Sequence, residues 1–225
     1  LCGYAERGEK EWKRLLGSFF AEGVNVAVVK NDEGQIEGYA VYRLGAPEIP
    51  VTEFVYTTRR AQRGLLNYFY NHRSQGESIR WNEGLHDTGY RFVPDGKTGH
   101  TTMPYMMARI VDVETALTTV PVNPEAVMMP ITLNIKVTDT LCDWNNGVFA
   151  LSLGESSLPN VKRISDEAVD EIDITIDIGG LAALLMGAVS AKNLVFEGKL
   201  QGESHWVDYL DMVYPKQNTY INEWW

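Results

Sequence analysis

From Ile172 to Ile178 apolar and polar positions alternate strictly, with Ile172, Ile174, Ile176 and Ile178 on one side and Glu171, Asp173, Thr175 and Asp177 on the other. That period of two predicts a half-buried strand with Asp173 and Asp177 on its wet face. A Gly179-Gly180 break follows, after which Leu181, Leu184, Leu185 and Val189 recur at helical spacing. A second apolar run, Leu194 to Phe196, closes the unit. Strand, glycine turn, apolar helix and return predict a small α+β layer with a covered interior.

The pattern elsewhere is similarly mixed. Glu9 to Ala21 places Trp12, Leu15, Leu16, Phe19 and Phe20 on one helical face and Glu11, Lys13 and Arg14 on the other. Strands are expected at Val24–Lys30 and Ile36–Arg43, joined by the turn Asn31-Asp32-Glu33-Gly34, and again at Val51–Thr57 and Ser78–Trp81. Between the last two, Arg59 to His72 reads as a helix with Leu65, Leu66, Phe69 and Tyr70 inward.

Asp87 to Pro104 has loop composition. Met106 to Leu117 begins as a strand and ends as a helix start with Asp112 as N-cap. Val120 to Pro130, with three prolines, is a linker; Ile131–Val137 and Val148–Leu153 form an antiparallel pair across the turn-rich Asp139–Gly147; Trp206 to Tyr214 is a last helix.

Of the 225 residues, 44% are hydrophobic and 22% charged, the balance of a folded, soluble chain of one large or two modest domains. No apolar run approaches the ~20 residues of a membrane span, so no membrane partner is expected. A net charge of −10 repels phosphate backbones and argues against nucleic acid as a partner. Cys2 and Cys142 stand far apart without ligand spacing, which fits thiols in a reducing cytoplasm and implies no zinc. His86 and His100, with Asp87 and Asp95, also lack ligand spacing, and no metal is expected. Ser190 sits in no nucleophile elbow, and His205 has no obvious acid beside it. Tyr39, Tyr42 and Tyr56 fall on strands as core or interface residues. The chain starts at Leu1 without a signal-peptide pattern, which is expected of the cut edge of a longer polypeptide.

The β-β-β-α order resembles the core of GNAT acetyltransferases, in which backbone N–H groups at the start of the helix hold the acetyl-CoA pyrophosphate over a Q/R-x-x-G-x-G/A loop. Here Arg60-Ala61-Gln62-Arg63-Gly64-Leu65-Leu66 departs from that pattern at Ala61 and Leu66, and Arg59, Arg60 and Arg63 read as a solvated helix start. A GNAT-like domain lacking the cofactor loop is expected.

Several stretches together, Gly38–Arg43, Ala108–Leu117, Leu141–Gly147, the GAVSAKNL run from Gly187, and Tyr220–Trp225, resemble the C-terminal two-thirds of Eis-type ("enhanced intracellular survival") N-acetyltransferases. The resemblance implies a mixed α/β chain with a GNAT-like domain without an acetyl-CoA site at 1–107 and a sterol-carrier-protein-like domain at 108–225. It also implies an upstream catalytic GNAT domain that binds acetyl-CoA, an amine substrate of aminoglycoside or lysine type, a homo-oligomer, and a chain inactive alone. Its one piece of chemistry would be the terminal carboxylate of Trp225 as general base, with Glu223 and Trp224 toward the substrate. Packing of the two terminal rings on their own domain is the alternative for that tail. Lipid or sterol binding, or a purely structural assembly role, are the alternatives for the chain.

Overall fold

The computed structural model describes residues 5–21, 23–85, 89–92, 98–103, 106–154, 156–165, 167 and 169–221. The chain divides into two compact units, one of residues 5–102 joined by Tyr220 and Ile221, the other of Met103–Thr219.

In the first unit the elements run α1 (Glu9–Ala21), β1 (Asn25–Lys30), β2 (Ile36–Tyr42), β3 (Glu48–Tyr56), α2 (Arg59–Asn71) and β4 (Ser78–Trp81). The sheet order is β1-β2-β3-β4, with two antiparallel pairings and a parallel one between β3 and β4. The β1–β2 turn forms where Asn31 and Gly34 predict it: the Asn31 side chain accepts from the amides of Glu33 and Gln35, and Gly34 takes a φ of +80°.

Helix α2 buries Ala61, Leu65 and Phe69 on the face of the sheet carrying Ala40, Tyr42, Ile49 and Val51. Tyr70, expected inward, is 64% exposed. The inward row runs 61, 62, 65, 69, so position 70 lies about 125° off its axis, and buried Gln62 takes the place instead, donating to the Tyr56 hydroxyl at 2.9 Å. Gly38 permits the close contact of helix and strand: a Cβ there would lie 3.0 Å from that of Ala61 and 2.9 Å from the Val55 carbonyl oxygen.

Two β-bulges set which way the acidic residues of this sheet point. Register steps from Val29↔Gly38 to Lys30↔Ile36, leaving Glu37 extra, and from Val41↔Glu53 to Tyr42↔Val51, leaving Thr52 extra. A bulge inverts the inside–outside phase of a strand. Hence Ile49, Val51 and Phe54 share the α2 face, while Glu53 turns to the other face and is 5% exposed.

The second unit runs α3 (Val113–Thr119), β5 (Ile131–Thr138), β6 (Gly147–Leu153), β7 (Asn160–Ile164), β8 (Ile174–Asp177), α4 (Ile178–Leu185), α5 (Ala191–Phe196), β9 (Leu200–Gly202) and α6 (Ser204–Val213). Its sheet order is β7-β6-β5-β8-β9, with β5 and β8 parallel and the remaining pairs antiparallel. One apolar core joins the inner face of the sheet (Leu133, Ile135, Leu151, Ile174, Ile176) to Leu181 and Leu184 of α4, Leu194 of α5, and Leu210 and Val213 of α6.

Several expectations change here. Gly179 and Gly180 do not break the chain; they form the first turn of α4, capped by Asp177, whose carboxylate accepts from the Gly180 N–H. Asp177 is thus a cap, and Asp173, placed on the wet face by alternation, accepts from the Asn134 N–H at 2.7 Å. Leu194–Phe196 belongs to α5, with Phe196 93% exposed, and the return strand is β9. Met106 to Val111 is not a strand: it has no ladder partner among the described residues, and Met107 is 98% exposed. Asp112 does cap α3, accepting from the Thr115 N–H at 2.7 Å. Ser190 caps α5, and His205 has an acid beside it after all, Glu203 at 3.3 Å. No helix of the described residues is long and apolar enough to cross a membrane.

Candidate functional site

At the start of α2 the backbone presents its unpaired N–H groups, the place where a strand-to-helix junction can hold an anion. Two groups already stand there. The Thr58 hydroxyl accepts from the Ala61 N–H at 3.1 Å and donates to Glu37 Oε2 at 3.2 Å. Arg60 Nε donates to the same oxygen at 3.1 Å, and the Arg60 guanidinium also reaches the Lys30 carbonyl and lies 3.6 Å from Asp32. Arg60 is thus exposed, as expected of a solvated helix start, and ion-paired there with Glu37. The bulge that displaces Glu37 is what aims its carboxylate at the helix. A phosphate placed on these amides would compete with the Thr58 hydroxyl for the Ala61 N–H and with Glu37 for Arg60.

Downstream of that position, Gly64 lies within α2 against β1, where a Cβ would make ordinary contact with Val29 at 3.4 Å. Pairing of β3 with β4 ends at Val51↔Trp81, and beyond it the rings of Phe54, Tyr56 and Trp81 fill the space, Phe54 and Trp81 with centroids 5.4 Å apart.

The opposite face of the same sheet holds a polar cluster that sequence patterning missed. Arg7 meets both Glu53 carboxylate oxygens at 2.9 and 3.0 Å, Tyr39 donates to Glu53 at 2.6 Å, and the Arg7 guanidinium lies 4.9 Å over the Trp12 ring. Burial, and then the hydrogen bond to Glu53, pushes the Tyr39 hydroxyl well above its usual range. The available signal was a lone charge in the apolar strand Val51–Thr57.

In the second unit the stretch Leu141–Gly147 is a polar knot. Asp139, 4% exposed, accepts from the N–H groups of Leu141 and Cys142 at 2.9 and 3.2 Å, from Asn145 Nδ2 at 2.9 Å, and from Arg109 at 2.8 Å. The Asn145 amide, and with it the Leu141 N–H and Arg109, holds the Asp139 carboxyl far below the usual carboxylate range despite burial. Asn145 in turn accepts from the Val113 N–H at the head of α3, and Arg163 donates to the carbonyls of Trp144 and Asn146. These bonds tie the loop between β5 and β6 to the head of α3 and to β7.

A cleft of about 290 Å³ opens between β8, β9 and α6, with Glu171, Asp173, Glu203 and Trp206 on its walls. Among the described residues no group of three His, Cys, Asp or Glu is placed to hold a metal. His100 lies 3.5 Å from Glu83, while His86, Asp87 and Asp95 are outside the described residues. Glu223, Trp224 and Trp225 also lie outside the described residues.

Two family comparisons cover these units. An acetyltransferase (GNAT) domain matches residues 3–110, and a sterol carrier protein domain matches residues 113–222. The chain is a GNAT domain followed by a sterol carrier protein domain. Among solved structures, a conserved protein of Enterococcus faecalis described as a probable N-acyltransferase aligns with 90% of this chain and 50% of its own at 25% identity and a TM-score of 0.79. A GCN5-related N-acetyltransferase of Anabaena variabilis aligns with 100% of this chain and 56% of its own, at 20% identity and a TM-score of 0.79. Eis1 of Mycobacterium abscessus aligns with 98% and 56%, at 20% identity and a TM-score of 0.68. The chain therefore spans about half the length of the structures it matches. No curated protein matches it.

Proposed function

We propose that this GNAT and sterol carrier protein pair is the C-terminal part of an acetyl-CoA-dependent N-acetyltransferase of the Eis type, a cytoplasmic homo-oligomer acting on amines of the aminoglycoside or lysine class. In this reading residues 1–107 and 108–225 are the two domains, and acetyl-CoA binds an upstream catalytic GNAT domain. The observation that carries the reading is the filled α2 N-terminus, where Thr58 satisfies the Ala61 N–H and the Glu37 carboxylate faces the helix. A GNAT domain built this way walls a site and holds no diphosphate of its own. The share of the similar structures that the chain spans, about half, supports a further domain.

The chemical contribution of the chain is then the terminal carboxylate of Trp225, with Glu223 and Trp224 lining the amine cleft. An ammonium must lose a proton before its nitrogen attacks a thioester carbonyl. An α-carboxylate, with an ordinary pKa of about 3.5, is ionised at neutral pH and free to take that proton. Lipid carriage has less support, because Leu181, Leu184, Leu194 and Leu210 fill the interior of the sterol carrier protein domain.

Two measurements test the proposal. Calorimetric titration of this chain with acetyl-CoA should give no saturable heat, and saturable binding would place the cofactor in the GNAT domain described above. In the longer protein, one glycine appended after Trp225 should lower kcat by about a hundredfold or more, the usual worth of a general base. Unchanged turnover would remove the carboxylate from the mechanism.

A further inference from the structure

Methionine is placed in this chain unlike the other flexible or branched apolar side chains. All seven methionines fall after residue 102, in the sterol carrier protein domain, and all seven are exposed, from 98% for Met107 to 43% for Met186. Leucine, isoleucine, valine and phenylalanine each supply buried members to the two cores. Methionine supplies none, neither to the cores nor to the partly buried side chains packed on them. That reverses the residue's ordinary use, in which a flexible thioether fills irregular gaps in an interior.

Each position has a local reason for facing water. In α4 the inward row is Leu181, Leu184 and Leu185, and Met186 stands at the C-cap, off that row. In α6 the row is Val207, Leu210 and Val213, which puts Met212 on the opposite side of the helix. Met128 and Met129 occupy the bend between the short 3-10 turn Pro124–Ala126 and β5, and Met103, Met106 and Met107 precede α3 outside either sheet. Side chains so placed gain little from packing. What a thioether keeps in water is its chemistry: it is an uncharged nucleophile that, unlike a thiol, needs no deprotonation to react. Its oxidised product, a polar sulfoxide, is costly in a core and harmless where water solvates it.

We propose that the surface of the sterol carrier protein domain is a sink for hypohalous acids, with the seven methionines as the sites of oxidation. At each, a sulfur lone pair attacks the chlorine of hypochlorous acid, the O–Cl bond breaks, and hydroxide leaves a chlorosulfonium ion. Water then adds at sulfur, the S–Cl bond breaks, and chloride and two protons depart, one proton neutralising the hydroxide. Sulfur has lost two electrons, chlorine has gained two, and the oxygen of the sulfoxide comes from water. Since no methionine belongs to a core, seven sulfoxides leave the packing of the sheet on α4, α5 and α6 intact. Methionine sulfoxide reductases return each sulfur to its first state. Cys142, by contrast, is half-buried with Arg109 Nη2 3.3 Å from its sulfur, so the oxidant meets exposed thioethers first. The inference does not depend on where acetyl-CoA binds.

Titration of the whole chain with hypochlorous acid, read by intact mass and peptide mapping, tests it. With three equivalents, oxygen should appear on methionine, and Cys142 and the exposed ring of Trp144 should each be at least about tenfold less modified than Met107. The chain carrying seven sulfoxides should melt within about 2 °C of the unaltered chain, and sulfoxide reductase should remove the added oxygens. Modification of Cys142 or Trp144 to within tenfold of Met107, or a larger fall in melting temperature, would overturn the sink. Replacing all seven methionines by leucine, a swap of similar volume, should raise oxidation of Cys142 by the same dose about fivefold or more. Unchanged oxidation of Cys142 would mean that the thioethers intercept nothing. The readings on the unaltered chain decide the matter alone if that variant aggregates.

Discussion

Among the described residues two carboxylates are buried, Glu53 in the GNAT domain and Asp139 in the sterol carrier protein domain, and their partners come from different distances along the chain. Glu53 is held by Arg7, 46 residues away, and Tyr39, 14 residues away. Asp139 takes donors from Leu141, Cys142 and Asn145, all within six residues, and adds Arg109 from outside. A charge satisfied by its own loop stays satisfied whenever that loop is folded. A charge satisfied from afar reports on whether the distant segment is in place. The first arrangement suits a permanent joint between β5 and β6, and the second suits a fastening.

The contrast can be broken most forcefully at Asp139. Asp139→Ala leaves two amides, Asn145 and Arg109 without their acceptor, and thermal unfolding should begin about 10 °C lower or more. A smaller shift would mean that water replaces the carboxylate readily. Acid should act at the same point. The folded-state pKa of Asp139 is depressed, so its contribution is present above the ordinary aspartate value of about 4 and is lost as pH falls from there toward the depressed value. The melting temperature of Asp139→Asn should therefore fall less steeply over that acidic window than that of the unaltered chain.

Next in size is Asn145→Ala, which leaves Asp139 Oδ2 with Arg109 as its remaining donor, orphans the Val113 N–H, and should cost about 2 kcal/mol in denaturant unfolding. The finest discrimination lies at Arg109. Arg109→Ala keeps the three local donors on Asp139 and should lower the melting temperature by only about 3 °C. A loss as large as that of Asp139→Ala would erase the distinction between joint and fastening.

Much of this architecture is legible in the order of residues. The α1 and α2 periodicities, the Asn31–Gly34 turn, the β5–β6 pair and the Asp112 cap all follow from local chemistry acting over a few positions. What escaped was set by longer reach. Strands β7 and β9 are edge strands of five and three residues, too short and too polar to show a period. Met106–Val111 has a strand's composition without a neighbour to pair with. The phase of β3 was unreadable because the extra residue at Thr52 flips everything after it, which sends Glu53 to a face that alternation denies it. At the α2 N-terminus the substitutions Ala61 and Leu66 were visible in the sequence; the Glu37 carboxylate beside them was not, since another bulge delivers it from 21 residues upstream of Thr58.

The parallel pairing of Ile135 with Ile174 governs when the sterol carrier protein domain can assemble during synthesis. The meander β5-β6-β7 closes from neighbouring sequence and forms as soon as it leaves the ribosome. Its greasy side, with Leu133, Ile135 and Leu151, then has α3 beside it but waits for α4, α5 and α6, which emerge some tens of residues afterwards. Nascent chains stalled before Leu200 should accordingly be the species that chaperones retain, and a pause in translation there would cost yield rather than specific activity.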